Sequence, residues 1–183
     1  MLIGIDEVGR GALAGPLVVS CVSLNKKIDG LRDSKKLSSL KRQELYSKIF
    51  LNINYCSIGW VWPHEIDNLG LTKATRIAIL RALQNSKINH DFKIILDGNI
   101  NYLKGLNYQV ETIIKADDLI DEVSAASIIA KVTRDKYMFE LDKYYPLYNF
   151  KNNVGYGTKE HIKAIRQLGP TSIHRSLFLK KII

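Results

Sequence analysis

Two adjacent acids, Asp6 and Glu7, close a short apolar run and lead through Val8 into Gly9-Arg10-Gly11. Carboxylate oxygens are hard ligands suited to a divalent cation, and the backbone N–H groups of a glycine loop can hold a phosphate. The acid recurs at other strand-like ends. Asp97 follows the apolar segment 92–96, and Asp117 and Asp118 follow the segment 109–114, with Asp121 close behind. Three strand ends bearing carboxylates describe a local negative site, and a hard divalent cation is the usual reason for one. Which of Asp117, Asp118 and Asp121 completes the set is open at this point, although Asp117 lies nearest its strand.

Neighbouring side chains on a strand point to opposite faces. Asp6 and Glu7 can therefore serve one site only if their strand ends or bulges there, and Gly9 and Gly11 permit such geometry. The stretch Gly9 to Ala14 also fits G-x-G-x-x-A, a dinucleotide fingerprint that needs a helix to open inside the glycines. Gly15-Pro16 and the β-branched run 17–22 give a second strand instead, so the unit is a hairpin. Cys21 and Cys56 are buried thiols in strands and form no metal-spaced pair, which argues against zinc.

These residues need a scaffold. The chain has 183 residues, enough for one domain with a small C-terminal appendage, and 46% hydrophobic content supports a sizeable core. No run of eighteen apolar residues and no basic-then-apolar N-terminus occur, so the expectation is a soluble cytoplasmic protein without a membrane partner. Lys and Arg number 27 against 18 Asp and Glu, a net +9, which suits a polyanionic partner.

The pattern predicts helices over 39–51, 72–86, 122–144 and 158–168, and a strand over 53–62 that places Ile58, Trp60 and Trp62 on one face. Pro63 reads as the stop of that strand. The small residues Ser124, Ala125, Ala126, Ser127 and Ala130 suit close packing of the long helix on a sheet. The basic tail 172–183, with its apolar stripe, packs back.

Taken together, Gly4-Ile5-Asp6-Glu7-Val8-Gly9-Arg10-Gly11, Asp33-Ser34-Lys35-Lys36-Leu37-Ser38, Asp97-Gly98, Lys115-Ala116-Asp117, the run from Ser124 to Asp135, and Gly155-Tyr156-Gly157-Thr158 resemble the successive motifs of type 2 ribonuclease H (ribonuclease HII). They occur in that family's order over nearly the whole chain. The resemblance implies an α/β, ribonuclease H-like fold: a central mixed β-sheet flanked by helices, with residues 1–145 as the catalytic domain and 146–183 as a helical extension packed on it.

It also implies an endoribonuclease that hydrolyses the RNA strand of RNA–DNA hybrids and incises duplex DNA 5′ of embedded ribonucleotides, leaving 5′-phosphate and 3′-hydroxyl ends. The implied metal ligands are Asp6, Glu7, Asp97 and Asp117, holding Mg²⁺ or Mn²⁺, with two ions about 3.5–4 Å apart activating a water for in-line attack. Gly9, Arg10, Gly11 and Tyr156 match the elements that recognise the ribonucleotide and its junction with DNA. Lys36, Lys131, Arg134 and Arg175 are candidates for backbone phosphates. Because water attacks, no histidine pair is required, and His64, His90, His161 and His174 are expected to be surface or packing residues.

Two departures stand out. Ala12 occupies a position where many members carry proline, and Asn153-Val154 replaces a basic residue commonly found before the Gly-Tyr pair. The second removes one expected phosphate contact without touching the chemistry. The expected assembly is a monomer. The competing reading is a non-catalytic basic nucleic-acid-binding module, which would have no need of carboxylates at three strand ends.

Overall fold

The computed structural model describes residues 1–84, 92–180 and 182. Strands β1 (Leu2–Val8) and β2 (Leu17–Leu24) form the expected hairpin, antiparallel, with Val8 opposite Val18. β3 (Ile53–Val61) pairs antiparallel on the far side of β2. On the other side of β1, β4 (Lys93–Asp97) and then β5 (Gln109–Ile113) add in parallel. The mixed five-stranded sheet has the order β3-β2-β1-β4-β5, which puts the acid-bearing strand in its middle.

Helix α1 (Ser39–Phe50) opens where the Ser38 hydroxyl accepts the Lys41 N–H at 3.2 Å. It is followed by α2 (Pro63–Leu69) and α3 (Leu71–Gln84). After the sheet come α4 (Ala116–Leu119), α5 (Asp121–Leu141), α6 (Phe150–Asn153), α7 (Lys159–Leu168) and α8 (Ser176–Leu179). One sheet face, with Ile3, Ile5, Leu17, Val19 and Cys21, packs on Ala74, Ala78 and Ala82 of α3. The other meets α5 and α1 through Val22, Leu45, Ile49, Ala125, Ala126 and Ile129. A further cluster joins Leu13 and Ala14 of the glycine loop to Met138, Tyr148, Phe150, Ile165 and Leu179. The residues after 146 thus share a core with the first loop of the chain.

The small residues of α5 lie against β1. A Cβ on Gly4 would fall 2.2 Å from the carbonyl carbon of Glu122, so only glycine lets the helix start this close to the strand. Ile58 and Trp60 face α5, packed beside Val8, Val18 and Ala130, and Trp62 continues that side by stacking on Trp60 and meeting Tyr137.

Pro63 does more than stop β3. It is the first residue of α2, where a missing N–H costs nothing, and Glu65 accepts the Trp62 N–H at 2.9 Å to close that end. The long helix ends at Leu141, before the expected Tyr144. Residues 85 and 86 of the second expected helix, and His90, lie outside the described residues. Among the described residues no helix is long and apolar enough to cross a membrane.

Candidate active site

The strand carrying Asp6 and Glu7 neither ends nor bulges there. β1 runs on to Val8 in regular register with β2, Asp6 opposite Ser20 and Glu7 opposite Val19. This corrects the expected interruption, and the actual device lies on the other side of β1. There the parallel pairing with β4 stops at Ile5 opposite Leu96, and β4 itself ends at Asp97. β1 therefore outruns its neighbour, and the open edge lets side chains from both faces reach one cleft. That cleft, about 280 Å³, is lined by Asp6, Glu7, Val8, Ser34, Lys35, Ser127, Lys131 and Tyr156.

Asp6 is buried, and its Oδ1 accepts the Glu7 N–H at 2.7 Å. Its carboxylate also accepts a hydrogen bond from the Ser127 hydroxyl on α5. Ser127 and Ser34, both buried, are 2.8 Å apart through their hydroxyls. With Ser127 donating to Asp6, Ser34 donates to Ser127, and a three-member chain fixes the carboxylate. Asp97 accepts the Ala116 N–H at 2.8 Å, which ties the end of β4 to the start of α4. Asp117 is buried on α4, whose position Ser124 secures by donating to the Asp117 carbonyl at 2.7 Å. Glu7 lies 3.5 Å from Arg10, whose guanidinium also donates to the Tyr102 hydroxyl at 2.5 Å.

Burial, the Glu7 charge and the Asp97 charge hold Asp6 well above the usual carboxylate range. Glu7 is raised as well, by burial and by Asp97, against the opposing pull of Arg10. Asp117 is pushed up to about 6 by burial and by the Asp97 and Asp33 carboxylates. These groups feel one another as a single negative cluster. Burial opposes the charge on Lys35, yet the carboxylates of Asp6, Asp33, Asp117 and Asp97 outweigh it and hold the ammonium above its ordinary value.

The three acids left open by spacing have separate places. Asp117 joins the cluster. Asp118 forms an ion pair with Lys36 and accepts the Asp33 N–H at 3.3 Å. Asp121 opens α5 and lines a separate surface pocket with Leu2 and Lys26.

The expected basic residues divide sharply. Lys131 lines the cleft and pairs with Asp135 at 3.0 Å. Lys36 is engaged by Asp118, and its neighbour Lys35, absent from the expected set, faces the acids instead. Arg134 and Arg175 are fully buried, which corrects their reading as phosphate contacts. Arg134 donates to the carbonyls of Pro16, Val154 and Ala14 at 2.8, 2.8 and 3.0 Å. Arg175 donates twice to Gly15 O, at 3.0 and 2.8 Å, and once to Arg10 O at 3.1 Å. They brace the glycine loop from behind. A sequence shows charge but not burial, and two arginines on a small-residue helix and a tail gave no signal of this.

Gly9 has φ +90°, and a Cβ there would strike the Arg134 side chain. Gly11 is different: a Cβ there would meet nothing within the chain, so its backbone is open to the exterior. The Ala12 N–H reaches Gly9 O at 3.4 Å, a bond that proline could not make. Asn153, buried, donates to Tyr148 O and accepts the Gly155 N–H, so it shapes the Tyr156 loop without charge. The Tyr156 ring is half-buried, with the Arg134 guanidinium 5.4 Å and the Lys131 ammonium 5.8 Å from its centre. His161 and His174 are buried, and His64 is exposed.

Asp6, Glu7, Asp97 and Asp117 offer oxygen donors only, and burial together with mutual repulsion raises the pKa of Asp6, Glu7 and Asp117, a chemistry that fits a hard divalent cation. Among the described residues no three acidic, histidine or cysteine side chains stand close enough together, as placed, to hold a metal ion.

A model of the family described as ribonuclease HII matches residues 3–181. The chain is 47% identical over 181 residues to ribonuclease HII of Campylobacter concisus, covering 98% of this chain and 94% of that protein. The crystal structure of ribonuclease H2 from Pyrococcus horikoshii superposes with a TM-score of 0.80 at 29% identity, over 99% of this chain and 96% of that one. The fold extends to Bst-RNase HIII, crystallised in complex with Mn²⁺, at a TM-score of 0.67 and 20% identity, over 92% of this chain and 62% of that one. A family match that runs from β1 into the tail, over a mixed sheet with acids at its central strand ends, makes this chain a member of the ribonuclease HII family of endonucleases.

Proposed function

We propose that this chain hydrolyses the RNA strand of RNA–DNA hybrids and incises duplex DNA on the 5′ side of an embedded ribonucleotide, leaving 5′-phosphate and 3′-hydroxyl ends. The observation that carries this reading is the cleft at the open edge of β1, where Asp6 and Glu7 meet Lys35, Lys131 and Tyr156 and feel the Asp97 charge. Asp6, Glu7, Asp97 and Asp117 would hold Mg²⁺ or Mn²⁺, which when bound would supply an activated water and charge stabilisation at the scissile phosphate.

The chain's own groups do the rest. Ser127 fixes the Asp6 carboxylate, and the Ala116 N–H fixes that of Asp97. The backbone from Gly9 to Gly11 approaches the 2′-hydroxyl, the group that distinguishes RNA from DNA locally, because no side chain intervenes. Tyr156 supports the following sugar with its ring. Lys35 and Lys131, both on the cleft wall, meet backbone phosphates.

The test is an end-labelled RNA–DNA hybrid and a duplex with one ribonucleotide, each incubated with Mg²⁺ and with chelator. Cleavage is expected only with the cation and only by the unsubstituted protein, not by Asp6→Asn or Asp97→Asn. Cutting that persists in chelator or in either variant would overturn the assignment, and binding without cutting would mark a non-catalytic module.

A further inference from the structure

His161 on α7 and His174 in the tail meet through their Nε2 atoms at 3.1 Å, with 0% and 3% of their surfaces exposed. Each ring's other nitrogen has a partner whose hydrogen-bonding role is fixed. His161 Nδ1 lies 2.8 Å from the Tyr156 carbonyl oxygen, which can only accept, so Nδ1 of His161 carries a proton. His174 Nδ1 meets the Thr171 hydroxyl at 2.9 Å, which can donate or accept, and receives the Thr171 backbone N–H at 3.0 Å, which can only donate; the backbone donor decides, so Nδ1 of His174 carries no proton.

The two ends independently demand the same polarity. His174 must be protonated on Nε2 and donate to a bare Nε2 of His161. The chain therefore runs from Thr171 N–H through His174 and His161 to the Tyr156 carbonyl, with both rings neutral. Burial favours that state, and His161 and His174 are both lowered, His174 to about 4. Tyr148 and Phe150 pack edge-on or tilted against the rings, and Arg175, next to His174, directs its guanidinium away to Gly15 and Arg10.

The remaining bonds at Tyr156 show what the chain holds. Its carbonyl also accepts the Thr158 N–H at 2.9 Å, and its own N–H donates to Asn153 O at 2.8 Å. The Tyr156 backbone is thus fixed on both sides, and one of the ties comes from His161 of α7, which the tail holds through His174.

We propose that the His174–His161 chain is a positioning device that sets Tyr156 against the nucleotide beside the scissile phosphate, with His161 as the positioning residue. The proposal rests on the reading of Tyr156 as a nucleotide-contacting residue. His161 does not touch the reacting atoms. It acts through the Tyr156 carbonyl, so its loss should slow the cut more than it weakens binding.

Long-range ¹H–¹⁵N correlation spectra of the unsubstituted protein at pH 7 test the polarity directly. Expected are a neutral His161 protonated on Nδ1 and a neutral His174 protonated on Nε2. The reverse tautomers, or a doubly protonated ring, would overturn the proposal. Kinetics test the consequence. His161→Leu should lower the single-turnover rate on a lone ribonucleotide about tenfold. Its binding of the same duplex in Ca²⁺ should change less than about twofold. His161→Asn, whose Nδ2 can still donate to the Tyr156 carbonyl, should recover most of the rate.

A wild-type rate for His161→Leu, with Tyr156→Ala slow, would sink the positioning role alone. A wild-type rate for Tyr156→Ala would sink the nucleotide-contact reading and the proposal with it. Equal losses of rate and binding in His161→Leu, with no recovery in His161→Asn, would reduce the pair to packing and overturn the proposal.

Discussion

Asp117 and Asp118 are consecutive in the chain and serve opposite masters. Asp117 is buried against Asp97 and Asp33, whereas Asp118 points away to Lys36 and the Asp33 amide. Asp117→Asn is therefore expected to lower hybrid cleavage by about 10²-fold or more, on the scale of a lost electrostatic contact at a reacting centre. Asp118→Asn removes a surface ion pair and should cost at most about fivefold. Parallel turnover assays at saturating Mg²⁺ decide it, and equal losses would reassign the fourth acid.

The acid cluster sets a pH dependence whose sign can be worked out. Asp6, Glu7 and Asp117 are raised on folding, Asp117 from 3.8 to about 6. A carboxyl raised in this way favours the folded state at low pH and loses that contribution as pH rises through its folded value. The lowered His161 and His174 work oppositely, since their neutral folded forms cost stability as pH falls below 6.5. The difference in melting temperature between Mg²⁺ and chelator isolates the carboxylates. It should be larger at pH 8 than at pH 5, and a difference independent of pH would count against cation binding by these acids.

Ser127 holds the Asp6 carboxylate and is itself held by Ser34. Ser127→Ala should weaken Mg²⁺ activation by about 10- to 100-fold, the usual cost of losing a group that orients a ligand. The readouts are a Mg²⁺ titration of rate and, independently, Mn²⁺ binding by loss of the free-ion resonance signal. Unchanged binding in both would show the hydroxyl chain to be incidental.

Lys35 and Lys36 each have an acidic partner, Asp33 at 3.9 Å and Asp118 in closer contact, but only Lys35 lines the cleft. Binding of an uncut hybrid in Ca²⁺ should weaken with salt along a log–log line, each phosphate contact contributing about −0.7 to −0.9 to the slope. Lys35→Ala should flatten that line by about one contact. Lys36→Ala, with its ammonium already on Asp118, should flatten it by less. A steeper loss for Lys36 would reverse the roles.

What could be read in advance followed from local pattern. Acids at strand ends were legible because an apolar run followed by Asp states both the strand and its end, as at Leu96-Asp97. The hairpin was legible from Pro16, and the α5 packing face from its serines and alanines. The notch beside β1 was not, because it depends on where a parallel strand some ninety residues away stops pairing. Arg134 and Arg175 were misread for a similar reason: only the fold reveals that both face carbonyls of one loop. Pro63 was taken as a terminator because proline ends a strand and begins a helix with equal ease. Asp117 was separated from Asp118 and Asp121 by family resemblance, not by spacing.

The clasp of Arg175 on Gly15 and Arg10 spans 160 and 165 residues. A ribosome delivers the first loop early and its brace nearly last. Contacts this distant in sequence form late, since the intervening chain must be ordered first. The sheet can be in place, with its acids aligned, while the loop carbonyls still await their guanidinium. Competence to cut is thus among the last properties that a growing chain acquires, and a message truncated before Ile173 yields a scaffold whose loop keeps Arg134 but lacks the clasp of Arg175.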